Sequence, residues 1–89
     1  MAWRIELSAL AHKNLRSLDS TVAQRILRFL HERIAPAQDP RSIGEALKGS
    51  KLVGFWKYQV GDYRLIAHID EGVVLILVLH IGHRREIYR

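Results

Sequence analysis

The apolar residues of this chain fall into blocks with two different repeats, and the first block alternates. Trp3, Ile5 and Leu7 are separated by the charged residues Arg4 and Glu6. Such alternation is typical of a strand with one face covered and the other in water. These residues therefore predict a first strand, half buried or at the edge of a sheet.

The next block, residues 9–34, repeats its apolar residues every three or four positions, as amphipathic helices do. Ser8 is a favourable N-cap for a first helix over 9–18. The segment 21–24 reads Thr-Val-Ala-Gln, which fits a capping box and predicts the start of a second helix at its threonine. Pro36 predicts the end of that helix. We therefore expect a helical hairpin whose apolar side packs on a sheet.

Three segments rich in β-branched and aromatic residues follow, at 52–60, 63–70 and 73–81, and this composition predicts strands. Gly61-Asp62 is a two-residue turn of the kind that joins tight hairpins, and Asp70-Glu71-Gly72 turns the chain again. The last segment has apolar residues at both parities, which indicates a central strand.

The stretch between the helices and these strands, residues 37–50, has weak periodicity and predicts a connecting loop, with at most one helical turn at 42–47. The element order is then β-α-α-β-β-β. We expect an α+β fold made of one domain over residues 1–89. It contains a twisted, mainly antiparallel four-stranded sheet with the helical hairpin on one face and the first strand at an edge.

The turn at Gly61-Asp62 fixes which side chains share a face of the first hairpin. Gln59 lies opposite Arg64, so strand alternation places both on one face together with Lys57. The other face carries Trp56, Tyr58, Val60, Tyr63 and Leu65 and predicts the core under the helices. Two cations on adjacent strands thus point away from the helices.

The second hairpin has two possible registers. A plain turn at Glu71-Gly72 places His83 on the Arg64 face. A glycine bulge shifts the parity by one residue and places His80 and Arg84 there instead.

The chain is basic, with a formal net charge of +5 and a pI of about 10.1 over 89 residues. This charge favours a polyanionic or acidic partner, and the interleaving of cations with tyrosines and tryptophans favours single-stranded nucleic acid. There is no cysteine and no signal-peptide pattern, so we expect a cytoplasmic protein that does not bind a membrane. His80 and His83 have no obvious third ligand, so we expect neither a metal nor another cofactor.

Two sequence stretches, Gly61-Asp62-Tyr63-Arg64 and Gly82-His83-Arg84-Arg85-Glu86-Ile87-Tyr88-Arg89, resemble those of RelE toxins of bacterial and archaeal toxin–antitoxin modules. The element order matches as well, so the resemblance covers essentially the whole chain. It implies a ribosome-dependent mRNA endonuclease that cuts the A-site codon. In that family the substrate's 2′-hydroxyl attacks and a 2′,3′-cyclic phosphate remains, without a metal.

The resemblance also implies roles for individual residues. Arg64 matches the arginine that holds the scissile phosphate, and Arg84 matches one that stabilises charge and assists the leaving group. Lys57 matches a lysine proposed as base or phosphate ligand, and Tyr88 matches a tyrosine that stacks on a base. Further contacts to RNA phosphate are expected from Lys48, Lys51 and Arg85.

The chain departs from the RelE pattern at Gln59, where a second strand lysine is expected, and at His83, where a lysine precedes the arginine. Since the pKa of histidine lies near neutrality, His83 is a candidate for the proton transfer that a lysine performs elsewhere. These departures leave open which residue is the base.

The resemblance further implies a RelB-like antitoxin as partner, besides the ribosome and mRNA, and contact with operator DNA only through the antitoxin complex. Two alternatives accompany the nuclease hypothesis. One is a ParE-like toxin of the same fold that inhibits gyrase. The other is a non-enzymatic, antitoxin-bound co-repressor.

Overall fold

The computed structural model describes residues 2–47 and 54–83. The strands are β1 (Arg4–Leu7), β2 (Glu45–Ala46), β3 (Phe55–Val60), β4 (Tyr63–Asp70) and β5 (Leu75–His83). The helices are α1 (Ala9–Ser17) and α2 (Ser20–Phe29), followed by a π-helical turn at Leu30–Ile34 and a 3₁₀ turn at Pro40–Ser42. The described residues form one five-stranded sheet in the order β1-β5-β4-β3-β2. The predicted α+β fold is confirmed, with one strand more than expected.

The two long helices begin at side-chain caps. Ser8 caps α1 as predicted, because its Oγ accepts a hydrogen bond from the backbone N–H of Ala11 at 3.0 Å. The predicted capping box in α2 is wrong. Asp19 is the N-cap, and its carboxylate accepts from the N–H of Thr21 at 3.2 Å, so the helix already begins at Ser20.

The core lies between the helices and one face of the sheet. Ile26, Leu30 and Ile34 follow one side of α2 and its π-helical extension, and all three are buried. They meet a face of the sheet that includes Tyr58 and Leu65, which are also buried. The apolar stripe of the helical hairpin therefore packs on the sheet as the sequence predicts.

The hairpin of β3 and β4 has the predicted register: Val60 pairs with Tyr63 and Gln59 pairs with Arg64. The last strand differs from its prediction, because it runs from Leu75 to His83 while Val73 and Val74 belong to the turn. Val74 has a φ of 53°, a left-handed conformation that β-branched residues rarely adopt.

The edges of the sheet are formed by β1 and β2. The first strand lies at an edge as predicted and runs parallel to β5. The second edge lies in the segment predicted as a loop, where β2 pairs antiparallel with β3. Two contacts hold this segment on the sheet: the buried hydroxyl of Tyr58 donates to the carbonyl of Pro40 at 2.8 Å, and Leu47 N–H donates to the carbonyl of Phe55 at 3.0 Å.

Gly44 allows this close approach. A Cβ at this position would lie 2.8 Å from Cε1 of Tyr58 and 2.9 Å from the carbonyl oxygen of Lys57. Only a residue without a side chain fits there unless the neighbouring chain moves. Among the described helices, none is long and apolar enough to span a membrane.

Candidate RNA-binding site

A cavity of about 460 Å³ opens where β3 and β4 turn their polar side chains away from the core. It is lined by Phe29, Arg33, Ile43, Gly44, Glu45, Lys57, Gln59 and Arg64. The structure therefore brings Lys57 and Arg64 to one site. The strand alternation inferred from the Gly61-Asp62 turn explains this placement, because neighbouring residues such as Tyr58 and Leu65 are buried in the core.

Arg64 is held in the wall of this cavity. Its Nε and Nη1 atoms are screened from solvent, so part of the guanidinium group is fixed below the surface. Arg64 pairs with Gln59 on one side and with Gly82 on the other. A guanidinium with restricted motion presents a fixed positive charge to a phosphate.

Lys57 has a carboxylate neighbour that the sequence did not indicate. Its Nζ lies 3.4 Å from Oε2 of Glu45, and the two residues are direct partners in the pairing of β2 with β3. Glu45 was missed because a two-residue strand leaves no periodic pattern. Its one signal in the sequence is the neighbouring Gly44, which permits the approach of the two strands.

Arg33 is a second cavity residue that the sequence analysis missed. It lies in the turn Leu30–Ile34, where the helix widens and the N–H of Ala35 donates to the carbonyl of Leu30. Such π-helical turns often occur at functional sites. The helical pattern alone indicated a solvent-facing arginine, and only the tertiary fold brings Arg33 to the strand cations.

The register of β5 decides which histidine faces Arg64. A bulge in β5, at Leu79, shifts the pairing between Ile66 and Ala67 on β4. Beyond it His80 pairs with Ile66, on the Arg64 face. The alternative register with a bulge is therefore the observed one, although the extra residue lies inside β5 and not at the turn glycine.

The same register places His83 on the opposite face of the sheet from His80 and Arg64. His83 pairs with Tyr63, and the two rings lie edge to face with their centroids 5.6 Å apart. Within the described residues His83 is not among those lining the cavity. The register that would place His83 on the Arg64 face is therefore not the observed one. The role of His83 in proton transfer stays a prediction.

The bulge in β5 is stabilised by α1. Ser8 donates from its N–H to the carbonyl of Val78 and from its hydroxyl to the carbonyl of Leu79, both at 2.8 Å. Asn14 Oδ1 accepts from the N–H of Ile81 at 3.0 Å. On the β1 side, the strand pairing ends where Leu7 lies opposite Val78. Ser8 and Asn14 therefore satisfy backbone groups of Leu79 and Ile81 that β1 does not reach.

Five predicted site residues lie outside the described residues. They are Lys48, Lys51, Arg84, Arg85 and Tyr88. Their roles stay predictions. Within residues 2–47 and 54–83, no three side chains of the metal-binding types come together.

Comparison with known proteins places this chain in a family. A family model described as the ParE toxin of the type II toxin–antitoxin system parDE matches residues 5–88. Toxin RelG of Mycobacterium tuberculosis is 25% identical over 89 residues, covering 100% of this chain and 99% of that protein. Toxin RelE of the same organism is 26% identical over 87 residues, covering 98% of this chain and 87% of that protein.

The fold has a close counterpart among solved structures. The toxin–antitoxin complex RelBE2 from Mycobacterium tuberculosis matches with a TM-score of 0.84 and 21% identity, covering 94% of this chain and 100% of the matched chain. At this identity the match supports the fold alone. The family model over residues 5–88 shows a toxin of the type II toxin–antitoxin class. The chain belongs to the RelE/ParE superfamily of such toxins, and its resemblance to RelE-type toxins is confirmed.

Proposed function

We propose that this toxin is an mRNA endonuclease that cleaves A-site codons on the ribosome. The observation that carries the proposal is the convergence of Arg33, Lys57 and Arg64 on one cavity of about 460 Å³. Lys57 and Arg64 alternate with the buried residues Tyr58 and Leu65 along their strands, so RNA can contact these cations without displacing core residues. The family relationship supports the same activity, since both relatives carry the names of Rel toxins.

The proposed reaction is an in-line attack of the 2′-hydroxyl, which loses its proton, on the adjacent phosphorus. The bond from phosphorus to the 5′-oxygen of the next nucleotide breaks, that oxygen takes up a proton, and a 2′,3′-cyclic phosphate remains. Negative charge grows on the phosphoryl oxygens as the new P–O bond forms. Fixed cations stabilise that charge because they need no reorganisation during the step. The partly buried guanidinium of Arg64 meets this requirement, and Lys57, whose side chain is 19% exposed, supplies a second restrained charge. By resemblance the step uses no metal and no other cofactor.

The residues outside the described ranges complete the proposed site. Arg84 assists the leaving group and Tyr88 stacks on a base, as the RelE resemblance implies. Lys48, Lys51 and Arg85 bind RNA phosphates. His83 remains a candidate proton carrier, as its place in the RelE-like sequence stretch implies.

The proposed protein partner is a RelB-like antitoxin. The matched RelBE2 structure is a toxin–antitoxin complex, which supports such a partner for this chain. The net charge of +5 favours an acidic segment that covers the cations until the toxin is released. Operator DNA would be contacted through this complex and not by the toxin alone.

The deciding experiment is cell-free translation followed by primer extension on the mRNA. The wild-type toxin should produce ribosome-dependent cuts, and Arg64→Ala should slow them by about 10²–10³-fold, the usual loss for one preorganised group at a developing charge. Arg16→Ala is the matched control, because it removes an exposed arginine of α1 that does not line the cavity.

Two outcomes would contradict the nuclease proposal. One is cutting by Arg64→Ala at the parental rate. The other is intact mRNA in the presence of wild-type toxin. A parallel assay of DNA supercoiling by gyrase separates the ParE-like alternative, and binding to operator DNA with intact mRNA and active gyrase would indicate a co-repressor alone.

A further inference from the structure

The cavity contains an anionic group beside one of its cations. Glu45 Oε2 lies 3.4 Å from Nζ of Lys57, and Glu45 is the one carboxylate among the described residues that line the cavity. The other charged groups facing Lys57 are Arg33 from the π-helical turn and Arg64 from β4, and His80 of β5 lies on the same face. A carboxylate within a set of cations lowers the attraction of the site for RNA.

The two members of this ion pair differ in exposure. The Lys57 side chain is 19% exposed, whereas that of Glu45 is 77% exposed. The lysine is thus held by its surroundings, while the carboxylate can turn into water at little cost. The separation of 3.4 Å is longer than the roughly 2.7–2.9 Å typical of a strong charged hydrogen bond, so the pair is a loose one.

A phosphate oxygen and a carboxylate oxygen are chemically equivalent partners for an ammonium group, since both are anionic acceptors. We propose that Glu45 is an internal competitor of the RNA phosphate for Lys57. The empty site keeps the lysine engaged by Glu45, and a phosphodiester of single-stranded RNA binds by displacing that carboxylate. This inference rests on the proposed function only in naming RNA as the ligand.

Binding of a non-cleavable RNA tests the competition without ribosomes. The probe is a trinucleotide of 2′-O-methyl RNA, and the variant is Glu45→Gln, which keeps the side-chain shape but removes the charge. We expect binding about 1.5- to 5-fold tighter, the range that one surface ion pair spans.

A matched control is available at the other edge of the sheet. Glu6→Gln removes the carboxylate of the ion pair in which Glu6 Oε2 lies 3.0 Å from Nε of Arg4. This pair lies on β1, whereas Glu45 lies on β2 at the opposite edge. The two variants make the same change in net charge, so a gain specific to Glu45→Gln cannot come from net charge alone.

A double-mutant cycle shows whether Glu45 acts through Lys57. In a Lys57→Met background the gain from Glu45→Gln should disappear, because the contested cation is absent. Circular dichroism checks folding, and Glu45→Ala is a second variant if the glutamine form misfolds.

Three results would overturn the inference. They are binding no tighter than wild type, an equal gain from Glu6→Gln, and an undiminished gain in the Lys57→Met background. In the first case, an accompanying loss of cleavage rate would assign the carboxylate to proton transfer. Failure of the nuclease proposal is a separate result, because the trinucleotide assay involves neither ribosome nor cleavage.

Discussion

The hydrogen bond between Asn14 and the last strand offers a direct test of how α1 stabilises the sheet. Asn14 Oδ1 accepts from the N–H of Ile81 at 3.0 Å, and Ile81 is only 1% exposed. Asn14→Ala removes the acceptor and leaves the buried N–H of Ile81 without a hydrogen-bond partner. Because β1 has already ended at Leu7, no strand residue is in place to accept this hydrogen bond instead.

The expected loss follows from the state of the N–H after the change. A buried donor without an acceptor costs about 1–3 kcal/mol, which is more than the net value of an ordinary hydrogen bond. A domain of 89 residues has a total stability of about 4–13 kcal/mol by the usual value per residue. Asn14→Ala should therefore shift the unfolding midpoint clearly.

Chemical denaturation measures this loss, and Asn14→Asp is the control because a carboxylate oxygen still accepts the hydrogen bond. Hydrogen exchange of the Ile81 amide should become faster in Asn14→Ala and stay near wild type in Asn14→Asp. Backbone NOEs between Arg64 and Gly82 report whether the bulged register persists. Unchanged stability together with unchanged exchange at Ile81 would refute the assigned role of Asn14.

Three further predictions concern Val74, Tyr58 and Gly44. Val74→Gly should stabilise the fold by about 1–3 kcal/mol in thermal unfolding, because glycine adopts the φ of 53° without strain; a lower melting temperature would contradict this. Burial raises the pKa of Tyr58 from 10.0 to about 12. The neutral phenol therefore stabilises the folded state below pH 10, and this contribution is lost as the pH rises from 10 to 12. Relative to Tyr58→Phe, wild type should lose stability across that interval, and parallel pH curves for the two proteins would contradict the assignment. Gly44→Ala should cost about 1–3 kcal/mol in denaturant unfolding, since the added Cβ would lie 2.8 Å from a ring carbon of Tyr58, and wild-type stability would show that β2 moves freely.

The parts of the fold that the sequence predicted are those governed by local rules. The Gly61-Asp62 turn determines the register of its hairpin, because a two-residue loop leaves one way to pair the strands. The helix cap at Ser8 is local in the same sense. The placement of Lys57 and Arg64 on one face follows from this register by strand alternation. The part of the site that lies within one hairpin was therefore predictable.

The parts that the sequence did not predict depend on contacts between distant segments. The strand β2 has two residues and no pattern, and it is held by a hydrogen bond from the hydroxyl of Tyr58 to Pro40. The bulge in β5 is stabilised by Ser8 and Asn14, which are 71 and 67 positions away from their partners. Arg33 and Glu45 reach the cavity from outside the hairpin, so no local rule indicates them.

Residues that line the cavity alternate with core residues along β3 and β4. Strand alternation places Tyr58 and Leu65 in the core, while their neighbours Lys57 and Arg64 line the cavity. A substitution of Lys57 or Arg64 changes the charge of the cavity and removes no residue of the apolar core, whereas one in the core creates a void that costs about 2–5 kcal/mol. Loss of toxicity in Lys57 or Arg64 variants that still unfold like wild type therefore reports on chemistry. The same loss in Leu65→Ala reports only that the sheet no longer holds the site.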